Sequence, residues 1–125
     1  MLDHVGITVE PSKFNDVVKF YLAALAPLGY SKQVEIPEKL IGLGTDNHTM
    51  PFWIHSKEGS KVLGYHFAFR ANSHNVVDEF HARSLQSGGT CNGKPGTRLQ
   101  YHPTYYSAFV IDPVGNNVEV VNHGF

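Results

Sequence analysis

A chain of 125 residues with one cysteine cannot close an internal disulfide. Cys91 therefore fits a reducing, cytoplasmic compartment. Set in "GGTCNGKPG", it has no visible partner that would stabilise a thiolate. No apolar run approaches the length of a membrane span, and the opening "MLDHVGITV" reads as a strand rather than a signal peptide. Charge is sparse: 10 Lys and Arg against 11 Asp and Glu leave a net −1. The long basic stretch that nucleic-acid binding draws on is missing. So are a GxSxG nucleophile elbow and a nucleotide-binding glycine fingerprint. "CNGKPGTR" lacks the GKS/T ending and helix of a phosphate loop, and reads as a connection. An RNA-binding sheet would expose aromatics on a basic surface, but here the aromatics mostly share parity with core positions.

What remains is a globular composition, 42% hydrophobic and 17% charged, of a length that supports one domain over residues 1–125. Eight histidines are many for so short a chain, and their placement carries the argument. "DHVGITVEPSKFNDVVKFYLAAL" and "YHFAFRANSHNVVDEFHARSL" share a layout: a strand with His second, a serine, then an amphipathic helix. In the first helix Phe14, Val17, Val18, Tyr21, Leu22 and Leu25 follow the spacing of one buried face, with Ser12 as the expected N-cap and Pro27 and Gly29 ending it. In the second, Ser73 is the expected cap, Val77, Phe80 and Leu85 the buried side, and "SGG" the end. Three extended segments follow each helix, roughly 30–36, 39–44 and 50–55, then 98–102, 105–111 and 117–122, with "DPVGNN" a strong turn. The expected class is α+β, with β-α-β-β-β written twice, over about 1–58 and about 62–125.

Strand parity separates the histidines from the core. His4, Gly6 and Thr8 oppose Val5, Ile7 and Val9; His66 opposes Tyr65 and Phe67; Asn117 and Glu119 oppose Val118 and Val120. Three metal-competent side chains thus lie opposite helix-covered apolar faces. A lone strand histidine is more often a hydrogen-bonded structural residue, but two at equivalent repeat positions with a terminal carboxylate favour a site.

The duplicated unit, the two strand histidines, "FYLAALAPLGY" and "YHPTYYSAFVIDPVGNNVEVVNH" resemble the vicinal oxygen chelate superfamily, which includes glyoxalase I, extradiol dioxygenases and bleomycin-resistance proteins. The resemblance covers essentially the whole chain. It implies two βαβββ modules whose sheets curl around a cavity, a small-molecule substrate, and a homodimer that often completes the site. His4, His66 and Glu119 match three of the four family ligand positions, and two imidazoles with one carboxylate suit Fe(II), Mn(II), Zn(II), Co(II) or Ni(II). At the fourth position "PFWI" aligns with "NVEV", placing Trp53 where the family's glyoxalases use a carboxylate or similar ligand. Indole cannot ligate metal or accept a proton. His55, of the same parity but about 6–7 Å along the strand, is a displaced ligand or base, or a solvated strand end. By analogy with extradiol enzymes, His102 and Tyr106 are the proton-transfer candidates, with Tyr106 expected on Glu119's face. Arg70 and Thr8 hold cavity-side positions; Arg70 would pair either with a substrate anion or with an acid such as Asp3 or Glu35. Trp53 would wall a planar ligand. His48, His74, His81 and His123 read as surface residues, and Asp112, Pro113 and Gly115 as turn makers.

Two functions follow. One is a metal-dependent enzyme, a glyoxalase-like lyase or isomerase or an extradiol-type dioxygenase, whose ion polarises substrate oxygens. The other is a metal-free pocket that sequesters a planar small molecule through Trp53, Tyr106 and Arg70.

Overall fold

A computed structural model describes residues 1–125. The elements run β1 (Val5–Val9), α1 (Pro11–Leu25), a 3₁₀ turn (Ala26–Leu28), β2 (Ser31–Ile36), β3 (Leu40–Gly44) and β4 (Phe52–Ser56). The second half repeats them as β5 (His66–Arg70), α2 (His74–Gln86), β6 (Thr90–Thr97), β7 (Tyr106–Ile111) and β8 (Asn117–Asn122). Each half forms a four-stranded mixed sheet, ordered β1-β4-β3-β2 and β5-β8-β7-β6. In each, the first strand runs parallel to the last and the others are antiparallel. This is the α+β class with two βαβββ modules that the repeat predicts.

One helix covers one face of each sheet because the apolar residues of both elements meet there. From α1, Phe14, Val17, Phe20, Tyr21, Ala24 and Leu25 are buried; from α2, Val77, Phe80 and Ser84. Leu85 instead stands 41% exposed, since its place on the helix turns it away from the sheet. Ser73 caps α2 as expected, its hydroxyl accepting from Val76 N at 3.3 Å. Ser12 does not cap α1: the helix starts two residues earlier than that cap would set it, at Pro11, with Glu10 as cap and no side-chain bond. Proline at the first helical position gives up no hydrogen bond, so it outbids the serine.

The larger departure is β6. The glycine-rich stretch expected to be a connection is itself the strand, and 98–102 forms the turn beyond it. Register shifts between Cys91 and Gly93 and between Gly93 and Gly96 absorb the glycines and Pro95 at the sheet edge, where an irregular strand is tolerated.

The halves meet along an aromatic seam. Phe52 of β4 lies 4.7 Å from Tyr21, 5.2 Å from Phe67 and 5.5 Å from Phe69, between ring centroids. Tyr30 meets Phe69 edge-on at 5.8 Å. Tyr65, though it shares their parity, is outside this seam and 53% exposed. The faces opposite the helices are left free, and they carry the polar residues.

Candidate metal and ligand site

On the open face of the second sheet the register sets out rows across four strands. His66, Asn117, Ile111 and Thr90 form one; Ala68, Glu119, Phe109 and Gly93 the next; Arg70, Val121, Ser107 and Gly96 the third. Arg98 N bonds Tyr105 O at 2.7 Å, which extends the pairing past β6 and puts Tyr105 and Arg98 on the same face.

His66 and Glu119 are brought together. His66 Nε2 lies 3.2 Å from Glu119 Oε1, the imidazole about half exposed and the carboxylate 4% exposed. His66 Nδ1 is 2.9 Å from the Asn117 carbonyl, which can only accept, so Nδ1 carries a proton and Nε2 is the nitrogen facing the carboxylate. A bare Nε2 and a carboxylate oxygen would repel; the pair requires a cation between them, a second ring proton or a metal ion. Two metal bonds of about 2.1 Å at ordinary ligand angles put their donors roughly 3.0–3.4 Å apart, so the spacing fits adjacent ligands on one ion.

Glu119's other oxygen accepts from Tyr105 at 2.5 Å. Burial, followed by this bond to the carboxylate, pushes the Tyr105 hydroxyl well above its ordinary pKa. Tyr105 also touches a histidine pair, its ring 5.2 Å from both His102 and His123. Thr104 N donates to His102 Nδ1 at 3.2 Å, so His102 Nε2 carries the proton and donates to His123 Nδ1 at 2.9 Å. Desolvation, then the charges of Arg70 and His102, lower the pKa of His123 and favour its neutral form.

Tyr106 is not on this face. It pairs with Asn122, points to α2, donates to Asp78 at 2.6 Å and stacks on His74 at 3.8 Å. The parity expectation fails because Glu119 lies opposite Phe109, an odd residue of β7; the neighbouring Tyr105 takes the expected place. His74 is exposed, as expected of a surface residue, while His123 and His81, expected at the surface too, are half-buried, and His81 Nε2 lies 3.1 Å from Cys91 Sγ on β6.

His4 sits on the other sheet, just before β1, with Nδ1 2.6 Å from Asp3 and its ring 6.4 Å from Trp53. Within the chain no three His, Cys, Asp or Glu side chains converge on one point. The register confirms the counterpart relation: Trp53 pairs with Gly6, two residues after His4, as Glu119 pairs with Ala68, two after His66. Trp53 lies on Gly42, where a Cβ would come within 2.8 Å of the ring, and donates to Met50 O at 2.8 Å. The equivalent register pair in the second sheet is Glu119 with Phe109. His55 shares that face, exposed, beside Gly6.

Arg70 is exposed on β5 and pairs with neither acid considered for it: Asp3 binds His4, and Glu35 binds Lys32 at 3.0 Å. Thr8 lines a different cavity, of about 360 Å³, between the end of β1, the start of α1, the 60–65 linker and the β7–β8 turn. That cavity touches neither His66 nor Glu119.

No family model matches the chain, and no curated protein matches it. Solved structures do. A glyoxalase/bleomycin resistance protein from Albidiferax ferrireducens is 26% identical with a TM-score of 0.77, covering 96% of both chains. A glyoxalase/bleomycin resistance protein/dioxygenase family enzyme from Burkholderia phytofirmans is 19% identical, TM-score 0.71, covering 98% of each. A lactoylglutathione lyase from Agrobacterium tumefaciens is 18% identical, TM-score 0.68, covering 99% of this chain and 94% of its own. The fold is that of the glyoxalase, bleomycin-resistance and dioxygenase proteins, in agreement with the vicinal oxygen chelate resemblance.

Proposed function

We propose that this chain is a small-molecule metalloenzyme of the vicinal oxygen chelate type, active as a homodimer. His66 and Glu119 would hold a divalent Fe, Ni, Zn, Mn or Co ion, with His4 of a second copy joining them. The observation that carries this reading is the His66–Glu119 pair: a fixed tautomer presenting Nε2 to a buried carboxylate at ligand-to-ligand spacing. The open faces of the two sheets, with His4 stranded on one and the pair on the other, support completion across a dimer. The ion would supply Lewis-acid stabilisation of negative charge on a substrate's oxygens.

The chain's own residues would handle protons and position. Tyr105, bonded to Glu119 and against the His102–His123 pair, would be the group that gives a proton. With Trp53 in place of a fourth carboxylate, that proton duty falls to the Tyr105 side, which favours ring-opening dioxygenase chemistry over glyoxalase-type isomerisation. The filled Trp53 position supports the second reading, a metal-free binding protein in which the indole walls a planar ligand.

Elemental analysis after chelator treatment and reloading with each ion tests the choice. Near-stoichiometric metal in the wild type, lost in His66→Ala, is expected; His4→Ala should also lose it. Failure to load any ion would remove the metalloenzyme reading and leave the binding protein.

A further inference from the structure

Two cations on the open face, Arg70 and Arg98, have no acid to neutralise them, and of the two only Arg98 has its guanidinium hydrogen-bonded to the protein. The ion pairs in the chain are His4–Asp3, Lys32–Glu35 and His66–Glu119, and none includes either arginine. The Arg98 guanidinium is held: Nη2 donates to Lys94 O at 2.6 Å, and Cζ lies 5.6 Å from the centre of the Phe109 ring. It lies over two glycines of β6. A Cβ on Gly93 would come within 3.2 Å of Nη2, and one on Gly96 within 3.2 Å of Nη1. The side chain is half-buried; its remaining N–H donors have no protein acceptor. A guanidinium pinned in place without a counter-ion is preorganised for a planar anion.

Its position gives the ligand a shape. Gly93, Phe109 and Glu119 are one row, so the guanidinium lies about two strand spacings, roughly 10 Å, from Glu119's strand. Between them is Phe109, whose ring is also 6.0 Å from His66. We propose that Arg98 is the specificity-determining residue of this face, and that its ligand is a small organic acid. The acid's apolar body lies across Phe109, its carboxylate or phosphate group on Arg98, and its far end at His66 and Glu119. This deepens the proposed function and rests on His66 and Glu119 being the reactive end.

The test is a titration of the chelator-treated, full-length protein with phenylacetate, phenylphosphonate and neutral phenylacetamide, followed by calorimetry and by the arginine Nε–Hε signals. Working without metal keeps a failure of metal loading separate from a failure of this proposal. Both anions should bind more tightly than the amide and shift the Arg98 signal, and the ratio of their affinities identifies the headgroup. Arg98→Gln should weaken anion binding about tenfold or more, Arg98→Lys should restore part of it, and Arg83→Gln, on the exposed side of α2, should change nothing. Equal affinity for acid and amide, unchanged binding in a folded Arg98→Gln, or no binding of either anion at millimolar concentrations would overturn the proposal.

Discussion

A single carboxylate organises the open face of the second sheet. Glu119 is buried and shares its two oxygens between His66 and Tyr105. Removing the hydroxyl with Tyr105→Phe leaves one carboxylate oxygen without its donor, at a cost of about 1–3 kcal/mol. Chemical denaturation of the metal-free protein should read that loss, and a Tyr105→Phe variant as stable as wild type would show that Tyr105 does not support Glu119. His66, Glu119 and the alternation that turns them from the core were legible in the sequence. Tyr105 was not: "TYYS" offers adjacent tyrosines, and only the offset of β7 against β8 decides which one faces Glu119.

At the level of elements, equivalence between the modules was readable and their contents diverged. Trp53 and Glu119 occupy matching register positions, but Trp53 lies flat because its neighbour is Gly42. Gly42→Ala would drive a methyl group into the indole and should destabilise the fold by about 1–3 kcal/mol. In a Trp53→Ala background the same change should cost far less, and a double-mutant cycle measured by denaturation checks it. Strand β6 is hidden in the sequence for a physical reason. Gly93, Pro95 and Gly96 have the local preferences of a loop, yet an edge strand beside β7 can absorb them through two register shifts. No local signal distinguishes the two, because the pairing partner lies beyond the turn.

Across the whole molecule, one buried bond ties the modules. The Tyr21 hydroxyl of α1 donates to Asp112 Oδ2 in the β7–β8 turn, and Asn116 Nδ2 donates to the same oxygen at 3.0 Å. Val114 N and Asn116 N satisfy Oδ1 at 2.9 and 3.0 Å. Tyr21→Phe should therefore cost about 1–3 kcal/mol. Burial, with Asp112 alongside, raises the Tyr21 pKa well above the ordinary value. A raised tyrosine pKa contributes stability that is fully present below about pH 10 and is lost as pH rises from there towards the folded value, because the unfolded chain ionises first. Denaturation midpoints should fall above about pH 10, and less steeply in Tyr21→Phe. The sequence by itself determined the duplication, the two helices, most strand positions, and the face on which His4, His66 and Glu119 stand, because side-chain period and turn residues are local. Tertiary structure alone decided the Tyr21–Asp112 tie, the choice of Tyr105 over Tyr106, the His102–His123 pair and the half-buried Arg98 without an acid partner. Each depends on register between strands or on contact between halves of the chain, and no local spacing encodes those.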